Sequence, residues 1–223
     1  MNVHENARLT IPKTVIFDFD LTLAESSLGT IECVNYALDQ MALPMAGSAA
    51  IRATIGQSLS TTLAMLTSLT DASLIRAFSD HFVARADAKM VELTTLFPDT
   101  AETVRALKSA GVTTAIVSTK FRYRIEAILA RDGLLEGIDA IVGYEDVTNQ
   151  KPHPEGLLTA LGRLHASAPD SLYVGDHPID AEAAAGAEMP FAAVLTGHAT
   201  RVDFKPWPDT SFLTTLSGLR QLT

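Results

Sequence analysis

The chain has 223 residues, of which 47% are hydrophobic and 19% charged, and its formal net charge is -9. This length suits one large domain or a domain with an insert, and the composition is that of an ordinary globular protein. The negative charge argues against nucleic-acid and anionic-membrane partners, because both require a basic protein surface.

The sequence predicts neither export nor insertion into a membrane. Residues 1–13 have scattered charges and lack the apolar stretch of a signal peptide. Residues 53–70 are uncharged, but their many Ser and Thr residues argue against a membrane span. The single cysteine, Cys33, excludes an internal disulfide and fits a reducing compartment. We therefore expect a soluble, cytoplasmic protein.

Short apolar runs alternate with helical segments along most of the chain. Strands that are apolar throughout and separated by helices indicate a parallel sheet covered on both faces. We predict an α/β fold with a doubly wound, Rossmann-like parallel sheet, in which ligands bind at the carboxyl ends of the strands. The predicted strands are residues 14–19, 113–118, 139–144, 171–176 and 191–195, and the helices between the last four are 121–133, 154–165 and 179–187.

One long interval, residues 24–96, interrupts this alternation with helical patterns and no strand signal. It is far longer than a crossover between parallel strands needs. We predict a catalytic core formed by residues 1–23 and 97–223, with an inserted all-helical cap at 24–96. Asp99 or Thr100 is expected to cap the helix that follows the insert.

Four aspartates lie where the first and fourth core strands end. Asp18 and Asp20 are two residues apart, so an extended chain points both to the same side. Asp176 ends its strand after Gly175, and Asp180 lies one helical turn further on. Both pairs are costly to bury unless they bind a cation, although Asp176 and Asp180 are equally compatible with capping a helix.

Two further polar segments follow strands or precede a helix. Ser118 and Thr119 lie at a strand-to-helix junction, where hydroxyl and backbone N-H groups bind phosphate. Ser118 is also compatible with capping the next helix. Lys151 lies between Gln150 and Pro152 in a proline-rich loop that would aim its ammonium.

These segments together resemble the four motifs of the haloacid dehalogenase-like superfamily. The sequence DFDLT at 18–22, Ser118, KPHP at 151–154 and GDHPID at 175–180 follow the family's order and spacing. The helical insert is similar to the family's mobile cap. The segments IRATIGQSL at 51–59 and VSTKFR at 117–122 resemble the phosphoglycolate phosphatase-like subgroup.

The resemblance implies a role for each motif residue. Asp18 would be the nucleophile that forms an aspartyl-phosphate, and Asp20 the general acid and then the general base. Magnesium would be held by Asp18, by Asp176, by the main-chain carbonyl of Asp20 and, directly or through water, by Asp180. The residues implied to hold the phosphoryl oxygens are Ser118, Thr119 and Lys151.

Substrate choice in this family resides in the cap. The resemblance marks Gly56 as a point of close approach and Arg52 as a contact for a second anionic group, although Arg52 is also compatible with a solvated helix charge. Leu21 departs from the family, which most often has glycine at this position, so the turn after the first strand is in question. Asp20 favours a phosphatase over a dehalogenase, because the family's dehalogenases lack that acid.

We therefore predict a magnesium-dependent phosphatase acting on a small, phosphoglycolate-like phosphorylated metabolite. A pyrophosphatase or a sugar phosphomutase uses the same core and stays open as an alternative. A phospho-accepting receiver module or a non-catalytic binding protein is an alternative from another class. The sequence does not indicate an oligomeric state.

Overall fold

The computed structural model describes residues 12–222; residues 1–11 of the predicted core and Thr223 lie outside the described residues. The strands are β1 Thr14–Phe17, β2 Ala24–Glu25, β3 Thr95–Leu96, β4 Thr113–Val117, β5 Ala140–Val142, β6 Ser171–Gly175, β7 Phe191–Val194 and β8 Ser211–Leu213. The α-helices are α1 Ser27–Gln40, α2 Ser48–Arg52, α3 Leu59–Thr67, α4 Ala72–Lys89, α5 Thr100–Ser109, α6 Arg122–Arg131, α7 Glu155–Leu164 and α8 Pro178–Gly186.

The main sheet has six strands in the order β5-β4-β1-β6-β7-β8, and every neighbouring pair is parallel. The predicted α/β class is confirmed, and all five predicted core strands are present. Strand β8 was not predicted, because three residues are too few to show a periodicity. The central strand β1 pairs with β4 on one side and β6 on the other, so the residues that follow these three strands meet at one edge.

Both faces of β1 are buried, as the continuous apolar run predicts. Val15 and Phe17 pack into a hydrophobic cluster on one face of the sheet, and Ile16 packs into a second cluster on the other. Full burial of a side chain the size of Phe17 contributes about 2 to 3 kcal/mol. The strand that precedes the candidate site is therefore held from both sides.

Helices α1 to α4 follow β2 and have a hydrophobic cluster of their own, which includes Cys33, Leu63 and Phe78. The expectation that residues 24–96 contain no strand is wrong at the two ends of that interval. There, β2 and β3 pair as a short antiparallel ribbon, with Ala24 opposite Leu96. Strands of two residues carry no sequence pattern, and they form because pairing satisfies backbone groups where the chain leaves and re-enters the sheet.

Helix α5 begins at the predicted place but is not capped in the predicted way. Asp99 occupies the N-cap position without a side-chain hydrogen bond to the helix. Its Oδ2 instead accepts from the backbone N-H of Ser217 at 2.8 Å, and Thr100 Oγ1 donates to the carbonyl of Leu23 at 2.7 Å. These side chains therefore connect α5 to distant segments.

Among residues 12–222, no helix is both long and apolar enough to cross a bilayer.

Candidate active site

Asp18 and Asp20 immediately follow the central strand and are both buried, with 3% and 8% of their surfaces exposed. The backbone N-H of Asp18 still donates to the carbonyl of Val174 on β6, at 2.8 Å, so the first aspartate is fixed to the sheet. Two carboxylates held in this way at the ligand-binding edge need positive charge nearby. Two different lysines supply it.

Lys151 is the first of these lysines, and the proline-rich loop places it in the centre of the site. Its Nζ lies 2.9 Å from Asp18 Oδ1 and 2.6 Å from Asp180 Oδ1, and it donates to the Tyr173 hydroxyl at 3.1 Å. Burial alone would lower the pKa of Lys151, but Asp18 and Asp180 raise it above its ordinary value. The ammonium therefore stays charged and bridges the first and last motifs.

Asp18, Asp176 and Asp180 form one buried cluster, in which one carboxylate oxygen of each lies within 4.8 Å of the others. Burial raises the pKa of Asp18 to about 7, with Lys151 opposing the shift and Asp180 adding to it. Burial and the neighbouring Asp180 and Asp18 also raise the pKa of Asp176 well above its ordinary value. When all three carboxylates are ionised, the cluster has more negative charge than Lys151 offsets, and its hard oxygen donors fit a cation such as Mg²⁺.

Asp180 has a structural role as well as its place in the cluster. Its Oδ2 accepts from the backbone N-H of His177 at 3.1 Å, while His177 Nδ1 accepts from Ile179 at 3.2 Å. Asp180 Oδ1 accepts from Lys151 and, at 3.0 Å, from Tyr173. Helix capping and membership of the acidic cluster therefore coexist in this residue.

Close backbone approach fixes the position of Asp176. Thr22 Oγ1 donates to Asp176 Oδ1 at 3.1 Å, and a Cβ added at Gly197 would lie 1.9 Å from Asp176 Oδ2. Only glycine leaves room for the carboxylate at that point. Neither Thr22 nor Gly197 was predicted from the sequence, since neither contact has a local pattern.

Substitution of Gly197 by alanine tests this packing. We expect Gly197→Ala to displace the Asp176 carboxylate and to weaken the binding of Mg²⁺, measured as thermal stabilisation by the added ion, at least about tenfold. Gly162→Ala is the matched control, because a Cβ at Gly162 in α7 would meet no heavy atom within 4 Å. An unchanged affinity of Gly197→Ala for Mg²⁺ would contradict this role for the glycine.

Leu21 keeps the turn that glycine usually makes. Its φ is 58°, in the left-handed region that favours glycine, and the side chain is buried at 4% exposure. Its N-H donates to Ala24 at 2.7 Å, and its carbonyl accepts from Thr196 Oγ1 at 2.5 Å. A left-handed leucine costs about 1 to 2 kcal/mol, which burial of its side chain offsets. The departure at Leu21 therefore leaves the turn intact.

Ser118 and Thr119 follow β4, beside the central strand. Ser118 is buried, its N-H donates to Val142 at 3.0 Å and its Oγ accepts from the N-H of Lys120 at 3.3 Å. It does not cap α6, whose N-cap residue is Phe121. Thr119 Oγ1 donates to the carbonyl of Gly56 at 3.3 Å, so this hydroxyl joins the core to the insert.

Lys120 is the second lysine, and the sequence analysis gave it no role. Its buried Nζ lies 2.9 Å from Asp20 Oδ1. The only sequence signal was its place directly after Ser118 and Thr119. A lysine in that loop is normally solvated, so its burial became visible only in the folded chain.

The two predicted cap contacts line different pockets. Gly56, with φ of 89°, lies in a pocket with Asp20, Lys120 and Thr119, which we call the Asp20 pocket. Arg52 instead lines a neighbouring pocket with Leu21, Asp176, His177 and His198. Its Nη1 donates to Ser27 Oγ at 2.9 Å and lies 3.8 Å from Glu25 Oε2, so Arg52 has partners within the protein.

Comparisons with known proteins agree with this geometry. The family model described as haloacid dehalogenase-like hydrolase matches residues 15–194. A phosphoglycolate phosphatase from Xanthomonas campestris pv. campestris is 30% identical over 190 residues, covering 85% of this chain and 86% of the relative. A crystal structure of a haloacid dehalogenase-like hydrolase from Bacteroides fragilis superposes with a TM-score of 0.90 at 38% identity, covering 93% of this chain and 99% of the other.

A further crystal structure shares the fold at lower identity. It is that of a predicted phosphoglycolate phosphatase from Haemophilus somnus 129pt, with a TM-score of 0.84 at 22% identity, covering 96% of this chain and 99% of the other. The chain belongs to the haloacid dehalogenase-like hydrolase family. Within it, the chain is a phosphatase of the phosphoglycolate phosphatase-like subgroup, as predicted.

Proposed function

We propose that the protein is a magnesium-dependent phosphomonoesterase that hydrolyses a small phosphorylated metabolite resembling phosphoglycolate through an aspartyl-phosphate. One observation carries this proposal: Asp18 lies at the end of the central strand, in contact with Lys151 and clustered with Asp176 and Asp180. That arrangement supports the assignment of a nucleophile, a phosphate-binding cation and a divalent-metal site to one point. The name of the Xanthomonas relative supports the substrate class.

The residues that would hold magnesium are the Asp18 and Asp176 carboxylates and the main-chain carbonyl of Asp20. Asp180 would support the site through water, because both of its oxygens already accept hydrogen bonds from protein groups. The bound ion would supply the positive charge that lets an anionic carboxylate approach an anionic phosphate. The feature of this structure that supports a bound magnesium ion is the cluster of three buried carboxylates around the single positive charge of Lys151.

The side chains divide the reaction into two displacements. An Asp18 carboxylate oxygen attacks phosphorus, the bond from phosphorus to the ester oxygen breaks, and Asp20 donates a proton to the departing alcohol. Asp20 then removes a proton from water, which attacks the phosphorus and releases Asp18 and inorganic phosphate. Lys151, Ser118 and the backbone of Thr119 bind the phosphoryl oxygens throughout and stabilise their developing charge.

We propose that residues 24–96 act as the cap over this site. Two contacts between the insert and the core support this role: Thr119 with Gly56, and Arg124 of α6 with Asp87 of α4, whose Oδ1 lies 2.6 Å from Arg124 Nη2. Closure of the insert over the Asp20 pocket would keep water away from the substrate until the aspartyl-phosphate has formed.

A cytoplasmic location stays a prediction from the sequence.

The test is phosphate release from a panel of metabolites in the presence of Mg²⁺. The panel contains phosphoglycolate, ethyl phosphate, a sugar phosphate and inorganic pyrophosphate. We expect the highest kcat/KM for phosphoglycolate. Preferential hydrolysis of pyrophosphate, or isomerisation of the sugar phosphate without phosphate release, would contradict the proposed activity and favour the corresponding alternative on the same core.

Replacement of Asp20 tests its role as the proton donor. We expect Asp20→Asn to lower kcat about 100-fold to 1000-fold for an alkyl phosphate, because the alkoxide then leaves without a proton. The loss should be smaller for 4-nitrophenyl phosphate, whose leaving group needs no protonation. Equal losses for both substrates would contradict the general-acid assignment.

A further inference from the structure

We propose that Lys120 is a specificity-determining residue, which binds a carboxylate carried by the leaving group of the substrate. The inference rests on the proposed function and deepens it. It predicts that the preferred phosphomonoesters are those whose alcohol carries an anionic group close to the ester oxygen.

The first observation is the burial of Lys120 in the wall of the Asp20 pocket. Its side chain is 5% exposed, and its Nζ contacts Asp20 Oδ1 at 2.9 Å. Among residues 12–222 the structure gives this ammonium no other side-chain partner. An ammonium has three donors, and a buried one is stable only with anionic or polar partners. Lys120 can therefore accept a second anion from a bound molecule.

The second observation is that the other positive charge in this pocket is already engaged. Arg124 is also buried in the wall, but Asp87 Oδ1 lies 2.9 Å from its Nε, and its Nη2 donates to the carbonyl of Val83 at 3.1 Å. Its guanidinium also lies over the ring of Phe121, 4.9 Å from the centroid. Of the two basic residues described in the pocket wall, Lys120 is thus the one that lies beside Asp20, whereas Arg124 is held against Asp87 of the insert.

The third observation is the closeness of Lys120 to the proposed proton donor. Asp20 must lie within hydrogen-bond distance of the ester oxygen, and Lys120 contacts Asp20 directly. Lys120 Nζ is therefore about two hydrogen-bond lengths, or roughly 6 Å, from the ester oxygen. A carboxylate separated from the ester oxygen by one carbon can therefore reach Lys120 Nζ and accept a hydrogen bond from it.

The rest of the pocket wall contains both apolar and polar side chains. Val34, Ile55, Phe82 and Met90 supply apolar wall, and the hydroxyl of Thr54 already donates to the carbonyl of Ile51 at 2.8 Å. The pocket thus places Lys120 beside Asp20 in a wall that is partly apolar.

The test compares two substrates of matched size in the Mg²⁺-loaded enzyme. Phosphoglycolate carries a carboxylate where ethyl phosphate carries a methyl group. We expect the native protein to favour phosphoglycolate, and Lys120→Met to reduce the ratio of the two kcat/KM values at least about tenfold. Lys108→Met, which removes a lysine paired with Asp139 at the surface, should leave the ratio unchanged.

The use of a ratio separates substrate binding from any effect on Asp20. If Lys120 only positioned Asp20, Lys120→Met would slow both substrates equally, and that result would overturn the inference. Lys120→Gln, which keeps hydrogen-bond donors without the charge, serves if the methionine variant does not fold, with the same expected loss of preference. A native protein that hydrolyses both substrates without preference would overturn the inference alone, whereas one that hydrolyses neither would overturn the proposed function.

Discussion

Asp18→Asn is expected to reduce kcat for phosphoglycolate and for 4-nitrophenyl phosphate by at least about 10⁴-fold. The amide is a poor nucleophile, and no other described carboxylate both ends the central strand and contacts Lys151. The two substrates should lose activity equally, because the nucleophile acts whatever the leaving group. Initial rates of phosphate release, measured with excess Mg²⁺, check this expectation.

The fold of Asp18→Asn should survive, which makes the result interpretable. Burial raises the pKa of Asp18 to about 7, so ionisation of this side chain disfavours the folded state as pH rises toward that value. The uncharged amide removes that penalty, while Lys151 keeps Asp180 as a partner. Asp170→Asn, at an exposed ion pair with Lys13, is the matched control and should keep full activity. Substantial turnover by folded Asp18→Asn would exclude Asp18 as the nucleophile.

Removal of divalent metal has the second largest expected effect. We expect EDTA followed by dialysis to lower activity below about 1% of the starting value, and added Mg²⁺ to restore it. Without the ion, the buried carboxylates of Asp18, Asp176 and Asp180 repel an incoming phosphate, and Lys151 supplies only one positive charge. Activity that persists in metal-depleted protein would contradict the proposed cofactor.

Binding of the metal can also be followed without turnover. Mg²⁺ at 100 times its dissociation constant should stabilise the folded protein by about 2.7 kcal/mol, because only the folded chain assembles the cluster. Asp176→Asn should lose most of this thermal stabilisation. Replacement of the exposed Asp132, which pairs with Arg131, should not change it. Equal stabilisation of all three proteins by Mg²⁺ would place the ion elsewhere.

The sequence alone predicted the elements whose signals are local. The apolar runs located the core strands to within two residues, because a strand buried on both faces has no polar positions to obscure it. Asp18, Ser118, Lys151 and Asp176 each follow a strand or precede a helix in the family's order. Their meeting at one edge follows from the parallel arrangement of the strands.

Other features were decided by contacts between distant segments, which no local pattern records. Arg52 and Gly56 are close in sequence yet line different pockets, because helix α2 ends at Arg52 and residues 53–56 form a turn. The hydroxyl of Thr119 donates a hydrogen bond to Gly56 in the insert, and the carboxylate of Asp99 accepts one from Ser217 in the C-terminal segment.

The sequence by itself therefore determined the fold class, the order of the motifs and the chemical types at the site. Only the tertiary structure decided which lysine faces which aspartate, Lys151 with Asp18 and Lys120 with Asp20. The physical reason is that strand and helix periodicities depend on neighbouring residues. The burial of a charge and its choice of partner depend instead on which remote segments exclude water around it.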